Sequence, residues 1–126
     1  MNLLTSLSLM LLIALPSLAI AENAPSKSVE QLFQNQMTAL TASDYETFIA
    51  HTDEAFKQAL PPNHFASLSN ALSGHFAAGY DAENLGVLRQ EGLLIHLWKV
   101  TPHEADTDYL VKMALRGSTI AGFWIQ

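Results

Sequence analysis

Five histidines are the side chains best suited to chemistry in this chain, and their spacing decides how far they can be taken. His51, His64, His75, His96 and His103 form no HxxxH, HxH or HExxH pattern, the short spacings that bring two imidazoles to one metal ion. His51-Thr52-Asp53 is the one close histidine–carboxylate pair, and Asp53 is better explained as a helix cap, so no metal site is expected. A GxSxG elbow and a glycine-rich phosphate loop are absent, and with no cysteine anywhere a thiol nucleophile is impossible. No cofactor is expected.

His96 is the most informative of the five. Period-two alternation through Gly92–Val100 places it on one sheet face with Trp98, and Trp124 is a candidate for the same face. An imidazole in an aromatic pocket can orient a ligand or move a proton. The plainer reading is a partly buried histidine satisfied by one backbone group. Tyr80, Asp81 and Tyr109 are further polar candidates near a pocket mouth, so the pocket candidates are His96, Trp98, Tyr109, Trp124 and Tyr80. Both tryptophans read first as core and second as ligand contacts. An isomerase of the enolising kind needs a carboxylate base and a paired oxyanion donor, and no acid–tyrosine pair is placed here with that geometry. No catalytic residue is assigned beyond His96 as a bare candidate.

The elements that must position these residues fall into two regimes. From Ser28 to about Leu72 the apolar period is helical. Ser28-Val29-Glu30-Gln31 reads as a capping box, followed by the stripe Val29, Leu32, Phe33, Met37 and Leu40. Ser43-Asp44-Tyr45-Glu46 reads as a second box. Asp53 opens another helical run to Leu60, Pro61-Pro62 stops it, Asn63 caps a further helix, and Gly74 ends that one. After Gly74 the period approaches two. Asn84–Gln90, Gly92–Val100, Tyr109–Leu115 and Thr119–Ile125 read as strands, with Gly117-Ser118 as a type II′ hairpin turn. Helices followed by an antiparallel meander predict an α+β domain with helices packed on one face of the sheet.

The last hairpin predicts its own register. With Gly117-Ser118 as turn residues, strict alternation pairs Leu115 with Ile120, Met113 with Gly122 and Val111 with Trp124 on one face. The other face holds Ala114 with Ala121, Lys112 with Phe123 and Leu110 with Ile125. Lys112 and Arg116 mark the second face as the outside, which leaves Leu110, Phe123 and Ile125 as an apolar patch on it. Leu110, Lys112, Phe123 and Ile125 are therefore the candidates for a dimer face.

Charge excludes one class of partner. Twelve acids against six scattered bases give a net charge of −6, which opposes binding to nucleic acid or to an anionic lipid surface. Residues 1–21 carry the apolar run Leu9–Leu15, then Pro16 and the small-x-small ending Ala19-Ile20-Ala21 before Glu22. That layout is a secretory signal peptide. Cleavage near Ala21-Glu22 predicts an exported, periplasmic or secreted domain over residues 22–126, with no stable membrane anchor and no disulfide to staple it.

Asp44-Tyr45-Glu46-Thr47-Phe48, Leu85-Gly86-Val87-Leu88-Arg89-Gln90, Leu97-Trp98-Lys99-Val100 and the ending Ile120-Ala121-Gly122-Phe123-Trp124-Ile125 resemble the nuclear-transport-factor-2-like superfamily. That is the cone-shaped α+β fold shared with ketosteroid isomerases and SnoaL-type cyclases, and the closer likeness is to its small exported members of unknown function. The resemblance covers residues 22–126 and implies a bent sheet wrapped around helices, with a pocket at the cone's open end. It also implies dimers formed through the outer sheet face. The expected function is non-enzymatic binding of a small apolar or amphipathic ligand, or an accessory protein-interaction module. The alternative is a small lyase or isomerase using His96 in the cone pocket.

Overall fold

A computed structural model describes residues 27–126, and the leader read at residues 1–21 lies outside them. Helix α1 (Lys27–Ala42) buries Phe33, Met37 and Leu40 completely, three members of the predicted stripe, together with Ala39 and Gln36. It already includes Ser28, so Ser28 is not its cap. Helix α2 (Tyr45–Ile49) starts one residue later than the predicted box, because Asp44 rather than Ser43 caps it. The Asp44 carboxylate accepts from both the amide and the hydroxyl of Thr47, at 3.2 and 2.7 Å. Those two donors hold its pKa below the usual carboxylate range. Ser43 instead takes φ 57° and shares a hydrogen bond with Ser69.

Helix α3 (Glu54–Ala59) is capped by Asp53 as predicted, its carboxylate accepting from the Phe56 amide at 2.8 Å. Helix α4 (Pro62–Phe76) begins with Pro62 inside its first turn, where a missing amide costs nothing, and Asn63 is therefore not the cap. It also runs through Gly74. The glycine penalty of about 1 kcal/mol is smaller than the gain from burying Phe76 at the helix's last turn. Buried Ser69 donates to the Leu40 carbonyl at 2.7 Å, which ties α4 to the end of α1.

Four strands follow: β1 (Tyr80–Gln90), β2 (Leu93–Pro102), β3 (Tyr109–Arg116) and β4 (Thr119–Ile125), antiparallel and in sequential order in one open sheet. Positive φ at both Glu91 and Gly92 makes the β1–β2 turn a type I′. At Gly117 alone, φ is 63°, as a type II′ turn needs. The chain is thus α+β. The helices cover the face of the sheet that carries Trp98, Val100, Val111, Met113, Leu115 and Ile120.

The register of the last hairpin corrects the sequence reading. Arg116 pairs with Thr119 and Leu115 with Ile120, as alternation requires, but Ala114 then pairs with Gly122. Ala121 is an extra residue, a β-bulge, and everything beyond it changes face. Met113 faces Phe123, Val111 faces Ile125, and Lys112 faces Trp124. Phe123 and Ile125, expected outside, pack against the core, whereas Trp124, expected inside, is 48% exposed. The physical reason lies in what each register buries. Strict alternation can bury Ile120, Gly122 and Trp124, or Ala121, Phe123 and Ile125. The bulge buries Ile120, Phe123 and Ile125 together.

Candidate functional site

The five pocket candidates do not meet in one place. His96 and Trp98 share the inner face as expected, with ring centroids 6.0 Å apart. Trp98 is 1% exposed and stacks on Phe33 of α1 at 4.1 Å, the geometry of a core residue. Tyr109 and Tyr80 both pack on Phe76 at the end of α4, at 5.3 and 5.9 Å. The Tyr80 phenol is 3.4 Å from the Gln34 side-chain oxygen. Burial first and the nearby Glu30 charge second push its pKa up, so it stays neutral in ordinary conditions. Trp124 stands apart on the outer face. Of the dimer-face candidates, Leu110 and Lys112 are outside and Phe123 and Ile125 are inside.

His96 is a buried polar group in apolar surroundings. Its Nε2 has no hydrogen-bond partner among the described residues, and the same holds for Nε2 of Gln36, which is 1% exposed. Burial disfavours the imidazolium and lowers the His96 pKa. The consequence for stability has a definite sign. The unfolded chain takes up a proton near pH 6.5 while folded His96 still resists it, so stability is full above that value and falls as pH drops below it. The loss levels off below the folded pKa. Urea midpoints should therefore be lower at pH 5.5 than at 7.5, and His96→Leu should shrink that difference. An undiminished difference in the variant would assign the effect to other groups.

The second feature is a cleft of about 340 Å3 at the free edge of the sheet, between α3 and β4. Phe48 forms its floor, 5.7 Å edge-on from Phe123 and 4.9 Å from Phe65 of α4. One wall is α3, through Ala55, Phe56, Ala59 and Leu60, with Leu68 of α4 beside it. The opposite wall is Ala121, Gly122, Phe123 and Trp124. The space exists because small residues stand where the walls approach: Ala55 and Ala59 lie four apart, on one face of α3, across from Ala121 and Gly122.

Gly122 has a specific reason to be glycine. A Cβ there would collide with the Trp124 ring, which lies across it. The bulge aims Trp124 outward, and Gly122 lets the indole lie flat on the strand and form the lip of the cleft. The same chain anchors the β4 edge next to α3. Ile120 donates to the His51 carbonyl at 2.8 Å and accepts from the Asp53 amide at 3.0 Å, so the segment that caps α3 is itself a partner of β4.

All ten lining side chains are apolar or glycine and none is titratable. Such a surface can desolvate a hydrocarbon but offers no acid, base or nucleophile. Charge is confined to the surroundings. Arg116 and Asp53 pair at 3.6 Å and Lys57 and Glu54 at 3.5 Å, while the Lys112 ammonium is 5.6 Å from the centre of the Trp124 ring. Among the described residues no three histidine or acidic side chains converge as metal ligands, and no helix there is long and apolar enough to cross a membrane.

The sequence reading missed this cleft. Its helix at residues 53–60 is present, but Ala55, Phe56, Ala59, Leu60 and Leu68 carried no functional weight. The one signal available was the Ala-x-x-x-Ala spacing flanked by Phe56 and Leu60. No family model and no curated protein matches the chain.

Proposed function

We propose that this chain is a non-enzymatic binding domain of the nuclear-transport-factor-2-like kind, exported and cleaved near Ala21, which takes a small apolar or amphipathic ligand between α3 and β4. The observation that carries the binding reading is that apolar side chains and glycine alone line a cleft whose volume falls in the roughly 300–1,000 Å3 range of small-molecule sites. The family reading is supported by helices that precede an antiparallel sheet and cover one of its faces. Export is supported by the sequence of residues 1–21 alone.

The lyase or isomerase reading draws on His96, whose buried Nε2 has no acid within hydrogen-bonding reach among the described residues and which is absent from the cleft wall. Binding without turnover fits these positions better. A homodimer is supported by a different observation: Leu88 of β1, 45% exposed, shares the outer face with half-buried Ile95 and Leu97 of β2, on the side of the sheet away from the β4 edge.

Titration of residues 22–126 with the neutral dye N-phenyl-1-naphthylamine tests the binding reading. Saturable fluorescence enhancement is expected, weakened about tenfold or more by Ala59→Phe, which fills the cleft from an exposed helix position. Decanol should displace the dye. Equal dye binding by the wild type and Ala59→Phe would overturn the assignment of the ligand to this cleft.

A further inference from the structure

The surroundings of the cleft narrow the ligand's chemistry, in an inference that rests on the binding reading above. A long hydrocarbon with no polar end has little freely dissolved concentration in water, so a cleft that is open to solvent suits an amphiphile whose head stays at the mouth. The charge near the mouth then decides the sign of the head.

Two cations on or beside the elements that border the cleft are already neutralised. Arg116 faces Asp53 and Lys57 faces Glu54. Lys112 has no acidic partner among the described residues. Its ammonium lies over the indole of Trp124, the residue that forms the lip. Lys112 reaches that position only because the bulge at Ala121 makes it the cross-strand partner of Trp124. In strict alternation it would have faced Phe123. The whole protein is acidic, at −6, so a nonspecific field would draw in a cationic amphiphile. An ammonium without an acidic partner beside the lip reverses that preference locally, because charge acts most strongly at short range and screening removes the distant contributions.

We infer that the cleft takes a single-chain anionic amphiphile of the fatty-carboxylate class, with its chain between α3 and β4 and its carboxylate at Lys112. The indole supports this arrangement from beneath, since it holds the lysine stem on the strand while leaving the ammonium available.

Displacement of N-phenyl-1-naphthylamine by decanoate and by decanol, at pH 8 and low salt, separates head from tail. In the wild type decanoate is expected to bind about fivefold more tightly than decanol, the scale of a solvent-exposed ion pair. Lys112→Met and Lys112→Gln should abolish that preference while leaving decanol's affinity unchanged, and 0.5 M salt should erode it in the wild type. Far-UV circular dichroism of both variants verifies folding. Equal affinities in the wild type, or a preference that survives both substitutions, would overturn the inference while leaving the cleft itself intact. Failure of both ligands to displace the dye would overturn the binding reading beneath it as well.

Discussion

Trp98→Ala is expected to lower unfolding free energy by about 3–5 kcal/mol, the range for truncating a large aromatic in a packed core. The ring is 1% exposed and lies flat on Phe33, with an interplanar angle of 10°. Across β2 and β3 it stands opposite Val111, itself fully buried. The residue therefore joins α1 to the centre of the sheet, and no rearrangement of one element alone can close the hole it leaves. Since domains of this size are stable by roughly 5–15 kcal/mol, the variant should unfold at far lower urea. Phe33→Leu should cost less, and the two together less than their sum, because both remove the same stack. A loss below 1 kcal/mol for Trp98→Ala would place the indole outside the core.

Phe123→Glu and Trp124→Glu should behave as opposites. The first puts a carboxylate against Phe48 and Met113 on the helix-covered face and should cost about 3 kcal/mol or more. The second puts it on the outer face beside Lys112, where substitutions cost about 1 kcal/mol or less. Strict alternation from the turn predicts the reverse, with Phe123→Glu folding normally. Urea denaturation distinguishes the two registers directly. Native mass spectrometry on the well-folded Trp124→Glu variant also reports on the outer face: loss of a dimer there would mark that face as the interface, and Phe123→Glu cannot serve for this purpose.

This pair of residues shows where the sequence stops being legible. The turn at Gly117-Ser118, the strands on either side and the first two pairs of the hairpin follow from local rules that the chain writes openly. The bulge does not, because Ala121 has no special backbone requirement to advertise it. Its cause is tertiary: the bulge lets Ile120, Phe123 and Ile125 all face the helices, one large side chain more than either strict register buries, and only the helices waiting on that face make this favourable. The same contrast holds among the helices. Thr52 and Asp53 stand side by side, as Ser43 and Asp44 do; the Thr52 hydroxyl is engaged by the Ile49 carbonyl, leaving Asp53 as the cap, and at the other site the Thr47 hydroxyl selects Asp44. Gly74 and Asn63 misled for a related reason, since burial of Phe76 and the fit of Pro62 to a first turn outweigh local preference.

The functional positions were legible in part. Alternation alone placed His96 beside Trp98. The cleft depends on how α3 sits against β4, a relation that no pattern within either segment contains. Ala55 and Ala59 acquire meaning only opposite Ala121 and Gly122, more than sixty residues later in the chain.

Backbone amide spectra recorded during a decanol titration of isotopically labelled protein, residues 22–126, separate a ligand in the α3–β4 cleft from one inside the fold. Concentration-dependent shifts are expected only in the cleft, led by Ala55, Ala59, Leu68 and Gly122, with His96, Tyr80 and Tyr109 unmoved. Shifts that gather instead around His96 and Trp98 would contradict the cleft assignment and place the ligand inside the fold, between the sheet and α1.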